Sequence, residues 1–276
     1  MLTASTEKMV SVGGLRLRCR DEGEGPAVVL IHGIAASLEY WRYTVAALAE
    51  RHRVLAIDLP GCGFSERGPD IPTLEETADL IAGLLDHFGL ARASVIGSSM
   101  GGLVALEFAL RHPGRVDKLI LSNSAGLGRE ISVFWRLAAN RRLGSWLIRI
   151  NQRAALRGWP NLFFDPKGEG SIVERCREWV ARPDLVDTIV GAARLGLDFG
   201  GQRAEIVRVD RLGEVQARTL IVWGKHDWVF PVAHARRAHQ FIPNARLVIL
   251  DGCGHCPQLE QPVAFNHLAR EFLAEG

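Results

Sequence analysis

Short, unbroken apolar runs recur along the chain, separated by longer stretches in which apolar residues keep helical spacing. Ala27 to Ile31 is the clearest run, and a run without polar positions suits a strand covered on both faces. Val54 to Ile57, Ser94 to Ile96 and Val116 to Leu121 predict further buried strands. Between them, Ser37 to Glu50, Thr73 to about Phe88 and Leu103 to Arg111 read as helices. Thr73 with Glu76 three residues on forms a capping-box pattern, and Pro113 stops the third helix. Such alternation implies an α/β fold with a mostly parallel central sheet and helices on both faces.

The pattern changes between Gly126 and Leu212, where short buried strands give way to helical spacing over Ile131 to Leu156 and Ile172 to Val180. Alternation resumes with the strand Thr219 to Trp223, a helix over His234 to Phe241, the strand Leu247 to Leu250 and a last helix over Val263 to Leu273. Residues 1–125 and 213–276 are therefore expected to form one α/β core domain, with 126–212 inserted as a helical cap. Trp135, Trp146, Trp159 and Trp179 lie in the insertion. They either pack it onto the body or line an apolar substrate pocket beneath it.

With 276 residues, 47% of them hydrophobic, the chain can bury a sizeable core and is not a disordered one. Its formal charge of +2 argues against nucleic acid as a partner. That small sum hides a division. Residues 126–212 carry 15 basic and 10 acidic side chains, or +5, and the rest carry 18 and 21, or −3. Arg136, Arg141, Arg142, Arg149, Arg153 and Arg157 fall in a stretch from Ile131 to Phe164 that has no acid. Such a run is a solvated helix face, or else a basic rim that meets anionic substrates or lipid. No apolar run approaches the ~20 residues of a spanning helix, so no integral membrane segment is expected. The first ten residues lack the apolar region of a secretory signal. Five cysteines, an odd and small number, suggest a reducing compartment, and a cytoplasmic protein is expected.

The sharpest chemical signal is Gly97-Ser98-Ser99-Met100-Gly101, a G-x-S-x-G sequence between a predicted strand and a predicted helix. The pentapeptide alone is weakly specific, but that context is what a nucleophile elbow requires. A serine hydroxyl needs a base within hydrogen-bond reach. His255 stands in the loop directly after the strand Leu247 to Leu250, and Asp227 follows the strand ending at Trp223. Both loops meet the carboxyl edge of the sheet, where open α/β sheets place their sites. An acid beside the histidine would hold its tautomer and stabilise the imidazolium. Ser99, Asp227 and His255 are thus the expected catalytic triad, in the chain order of this architecture.

These residues resemble the α/β-hydrolase family over nearly the whole chain. The likeness extends to His32-Gly33, to Ser37 with Trp41, and to Arg111-His112-Pro113. It also takes in the loop Asp58-Leu59-Pro60-Gly61-Cys62-Gly63-Phe64-Ser65, and Pro257, Glu260 and Pro262 near the end. The resemblance implies an oxyanion hole made by the backbone amides of Ile34 and Met100. Two preset donors of that kind stabilise charge that develops only in the tetrahedral intermediate. The family's alternative acid position holds Ser122-Asn123-Ser124, without a carboxylate, which favours Asp227.

Other motifs carry less. Cys253-Gly254-His255-Cys256 has C-x-x-C spacing, but Pro257 follows and no long helix opens as in a redox site. A zinc site there lacks a fourth ligand nearby, and no metal or organic cofactor is expected. Gly61-Cys62-Gly63 lacks the third glycine of a dinucleotide fingerprint, and His32 reads as a structural loop histidine. Ser99 in the nucleophile position separates the chain from the epoxide hydrolases and haloalkane dehalogenases of the family, which carry aspartate there. It is also similar to carbon–carbon bond hydrolases of ring-cleavage products in Ser99-Met100-Gly101-Gly102. Those enzymes usually have Asn before the nucleophile and Trp after the histidine, where this chain has Ser98 and Cys256. The expected function is cleavage of carboxylic esters of small to medium acyl chain through an acyl-enzyme. Carbon–carbon hydrolysis is the first alternative, and a perhydrolase, a lyase or a slow-hydrolysing ligand-binding protein on the same fold are further ones. The expected partner is a small-molecule ester, and the sequence leaves room for a homodimer.

Overall fold

The computed structural model describes residues 7–157 and 177–275. Strands β1 (Glu7–Val12) and β2 (Leu15–Glu22) form a hairpin across Gly13 and Gly14, both at positive φ. The core continues with β3 (Ala27–Ile31), α1 (Arg42–Leu48), β4 (Arg53–Ile57), α2 (Leu74–His87), β5 (Ala93–Ser98), α3 (Met100–Arg111) and β6 (Val116–Ser122). Next come α4 (Val133–Ala138), α5 (Arg141–Leu156), α6 (Arg177–Val180), α7 (Leu185–Gly196) and the two-residue strands β7 (Leu197–Asp198) and β8 (Gly201–Gln202). The chain closes with β9 (Arg218–Gly224), α8 (Ala233–Phe241), β10 (Ala245–Leu250), α9 (Pro257–Glu260) and α10 (Pro262–Ala274). Among the described residues no helix is long and apolar enough to cross a membrane.

The main sheet runs β1-β2-β4-β3-β5-β6-β9-β10. Only β1 and β2 are antiparallel to their neighbours; every pairing from β4 to β10 is parallel. The apolar runs explain this placement. In β3, Val28 and Leu30 enter a core shared with Val45 and Leu48 of α1 and Phe265 and Phe272 of α10. Val29 and Ile31 point the other way, into a core with Ile81 of α2 and Leu106 of α3. A strand between two helical layers has no face left for a polar residue. The hairpin β1–β2 escapes that pattern because β2, Leu-Arg-Leu-Arg-Cys-Arg-Asp-Glu, alternates apolar and charged positions. The helical spacing from Ile131 to Leu156 breaks at Asn140, whose side chain accepts from the Arg142 and Leu143 amides and caps α5. Of the helix expected over Ile172 to Val180, only α6 lies within the described residues.

The loop after β4 is fastened by a buried acid. Asp58 accepts hydrogen bonds from the Leu38 amide (2.7 Å), the Phe64 amide (2.9 Å) and Arg18 Nη1 (3.3 Å). Arg18 also pairs with Glu7 and Glu39. Burial pushes the Asp58 carboxyl up to about 6, against the pull of Arg18 and the two amides. A Cβ on Gly63, which has φ +52, would fall 1.9 Å from Asp58 Oδ2, so glycine lets the loop close on the acid. Asp58→Ala removes one of the three carboxylates around Arg18 and leaves the Leu38 and Phe64 amides without their acceptor, and should cost about 3 kcal/mol. Urea unfolding measures this, and a loss under about 1 kcal/mol would mean that Glu7 and Glu39 alone satisfy Arg18.

Candidate active site

Ser99 occupies the one-residue turn between β5 and α3, with φ 56 and ψ −121. A non-glycine residue held at positive φ persists only where its surroundings over-determine it. Here the surroundings are backbone. A Cβ on Gly97 would lie 2.2 Å from the Gly101 carbonyl oxygen, and one on Gly101 would lie 2.2 Å from that of Ile31. On Gly102 it would meet Ser124 Oγ at 2.5 Å. The Ser99 amide donates to the Ser122 carbonyl, and the Ser99 carbonyl accepts from Gly102 and Ala125, all at 3.0 Å. The helix is thereby packed directly onto β3, and Ser99 stands at its amino end.

The ends of β9 and β10 bring Asp227 and His255 together. His255 Nδ1 lies 3.0 and 3.1 Å from the two carboxylate oxygens of Asp227. Asp227 Oδ1 also accepts from the Val229 amide at 2.7 Å. Its other oxygen, Oδ2, accepts from Asn123 Nδ2 at 2.6 Å. Burial by itself would raise the Asp227 pKa, but the His255 charge and the hydrogen bonds from His255, Asn123 and Val229 outweigh it. The carboxyl is therefore held below its ordinary range. The Trp228 and Phe230 rings meet the imidazole edge-on, at 6.5 and 5.6 Å between centroids. Glu260 accepts from the Gly254 and Cys256 amides, each at 2.7 Å, and so clamps the backbone on both sides of His255. Ser99 and His255 line the same small cavity, with Gly33, Ile34 and Trp228.

Two of these residues carry no role in the sequence reading. Asn123 stands where a carboxylate is missing after β6, and it reaches the acid of another strand. Its backbone has φ 43, its Oδ1 accepts from the Gly224 amide at 3.2 Å, and it is fully buried. Glu260 is one residue in a family-like loop, and nothing in its spacing announces the two amides it fastens. His32 is buried between loops. Its Nδ1 is 2.7 Å from the Gly33 carbonyl and its Nε2 accepts from the Leu59 amide at 3.0 Å, so Nδ1 carries the proton. Burial holds it down at about 4, and it stays a neutral loop pin. The Cys253 thiol is pushed up to about 12 by burial and Cys256 is raised well above its ordinary value, the reverse of a redox-active pair. Among the described residues no cluster of His, Cys, Asp and Glu could hold a metal ion.

A larger cavity of about 300 Å³ opens beside Ser99. Its lining draws on Ile34, Met100, Leu103 and Phe230 from the core and on Ile189 and Ala193 of α7. Glu75 and Glu205 are its charged members, and no Lys or Arg among the described residues joins either cavity. Ile34 borders both cavities, and Met100 opens α3. The amides at a helix amino end lack intrahelical acceptors and carry partial positive charge. Of the four tryptophans between residues 126 and 212, Trp135 borders both cavities. Trp146 does not: it lies opposite Gly144, Ile148 and Ala155, the buried face of α5, and is 58% exposed. Trp179 is buried within the apolar core and does not reach either cavity, and Trp159 lies outside the described residues.

Residues 26–262 match the family model of the alpha/beta hydrolase fold, and the chain belongs to that family. It is 33% identical, over 95% of its length and 68% of the other chain, to the dihydrolipoyllysine-residue acetyltransferase component of the acetoin cleaving system of Pseudomonas putida. The 2-hydroxy-6-oxo-6-phenylhexa-2,4-dienoate hydrolase of Rhodococcus sp. strain RHA1 superposes with a TM-score of 0.80 at 26% identity, covering 99% of both chains. The enol-lactonase of Burkholderia xenovorans LB400 gives 0.72 at 27% identity, covering 97% of this chain and all of that one.

Asn123 can be tested directly. Asn123→Gly keeps the backbone conformation accessible and removes the donor to Asp227. It should lower kcat on a hydrolysed substrate by about tenfold, with KM little changed. A carboxylate relieved of one donor is protonated at higher pH, so the acid limb of kcat/KM should move upward. An unchanged kcat and pH profile would leave Asn123 with a packing role only.

Proposed function

We propose that the protein is a serine hydrolase of uncharged carboxylic esters with a small to medium acyl group, and that residues 126–212 form its cap. The observation that carries this reading is Ser99 on a strained turn, bordering a small cavity with a carboxylate-held histidine and a larger apolar one that can take an acyl chain. In this mechanism His255 Nε2 takes the Ser99 Oγ proton as Oγ bonds to the ester carbonyl carbon. The negative charge on the carbonyl oxygen rests on the Ile34 and Met100 amides. Asp227 stays ionised and stabilises the imidazolium, which returns its proton to the departing alkoxide. Water then attacks the acyl-enzyme, giving a proton to His255, which passes it to Ser99 Oγ as the acyl carbon–Oγ bond breaks and the acid leaves. The lactonase likeness supports ester chemistry, since a lactone is a cyclic ester.

Carbon–carbon bond hydrolysis is the second reading, favoured by the likeness to the dienoate hydrolase. A dienoate carries a carboxylate, and desolvating a carboxylate needs a cation or several donors. The described cavity lining offers two acids and no Lys or Arg, which favours an uncharged ester. Turnover of p-nitrophenyl acetate to octanoate should exceed that of a 2-hydroxy-6-oxo-dienoate by about a hundredfold in kcat/KM. The reverse order would establish the carbon–carbon reading. Ser99→Ala should remove on the order of 10⁴-fold or more of kcat with folding intact. Near-normal turnover by that variant would refute Ser99 as nucleophile.

A further inference from the structure

The outer face of α5 combines cations and large apolar side chains in a way that neither catalysis nor packing uses. Gly144, Ile148 and Ala155 are the buried residues of the helix, which packs against α4 and α7. At 100° per residue, Trp146 lies on the opposite side, flanked by Arg142, Arg149 and Arg153, with Ile150 and Leu143 beside them. Trp146 is 58% exposed, Ile150 45% and Leu143 37%, and these three arginines are exposed as well. Among the described residues no carboxylate forms an ion pair with Arg141, Arg142, Arg149, Arg153 or Arg157. Surface arginines elsewhere do find acids, as Arg111 finds Asp79 and Arg246 finds Glu271.

We propose that this face of α5 docks the protein on an anionic phospholipid surface. The chemistry fits at two depths. An interfacial helix places its arginines at the level of lipid phosphates and its Trp and aliphatic side chains among the upper acyl carbons. A nucleic acid would satisfy the arginines but offers Leu143 and Ile150 nothing in exchange for water. A second copy of the same face would set two uncompensated arginine clusters against each other. The partner is therefore an extended surface that is anionic outside and apolar just beneath. Because α5 packs on α7, and α7 lines the cavity beside Ser99, docking would bring lipid to the outer side of the cavity wall.

The test is cosedimentation of the whole protein with vesicles of phosphatidylcholine alone and of phosphatidylcholine mixed equally with phosphatidylglycerol, at low and high salt. Binding is expected to the mixed vesicles alone, and weaker in high salt. The combined variant Arg142→Glu, Arg149→Glu and Arg153→Glu should bind them on the order of a hundredfold more weakly. Trp146→Ser should weaken binding about tenfold and keep the salt dependence. Both variants should keep the wild-type melting temperature, which separates loss of docking from loss of fold without relying on any substrate. Equal binding to both vesicle types, no binding to either, or wild-type affinity in the triple variant would overturn the proposal. So would displacement of the protein from mixed vesicles by duplex DNA at equal phosphate, or dimerisation in solution that Trp146→Ser abolishes.

Discussion

Everything at the carboxyl edge of the sheet depends on backbone approaching backbone at the start of α3. Side chains at Gly97 and Gly101 would collide with main-chain carbonyls at 2.2 Å, distances that no adjustment of a rotamer can relieve. Their absence lets a twelve-residue helix begin directly against β3 and β5, and the price is a serine at positive φ. Ser99 is strained because the backbone two residues to either side of it is fixed by close packing. The same approach sets the first amides of α3 beside the cavity and brings Gly33 within reach of Ser99, where a Cβ would sit 2.9 Å from the serine's own. Nucleophile and oxyanion candidates are thus consequences of one packing contact.

Loops at that edge are long on polar backbone, and each is held by a buried side chain that accepts or donates to it. Asp58 holds the loop after β4, His32 bridges the loops after β3 and β4, and Asn123 joins the loops after β6, β9 and β10. Glu260 performs the same service around His255. Buried polar networks of this type rigidify a site when all members are satisfied. The shifts in proton affinity follow from that role. Burial makes His32 a neutral pin near 4 and keeps Cys253 and Cys256 as thiols, whereas Asp227, surrounded by donors and an imidazole, is held as an anion.

Much of this architecture is legible in the sequence, because strands buried on both faces have unbroken apolar runs and a G-x-S-x-G turn needs its glycines. The hairpin β1–β2 is not, since its alternating charged positions mimic a polar segment. Asn123 and Glu260 are hidden for another reason. Their partners lie on other strands or are backbone amides, and a hydrogen bond to an amide leaves no compositional trace. The tryptophans after β6 mislead in a third way: apolar content says that a ring will seek cover, and helix phase decides where. Trp135 turns toward the cavity, Trp179 into the core, and Trp146 outward.

The uneven charge of the chain, +5 over residues 126–212 and −3 over the remainder, acts beyond any single contact. Cations gathered on one face, as the exposed arginines of α5 are, give a molecule a dipole moment, and a dipole in a field experiences torque as well as attraction. Near a negatively charged surface, within roughly 8 Å at physiological salt, such a molecule turns its basic face forward before it touches. Orientation is then biased during approach. The same torque turns round a molecule that arrives with another face forward, so that collisions in the wrong attitude are fewer than a molecule without a dipole would suffer.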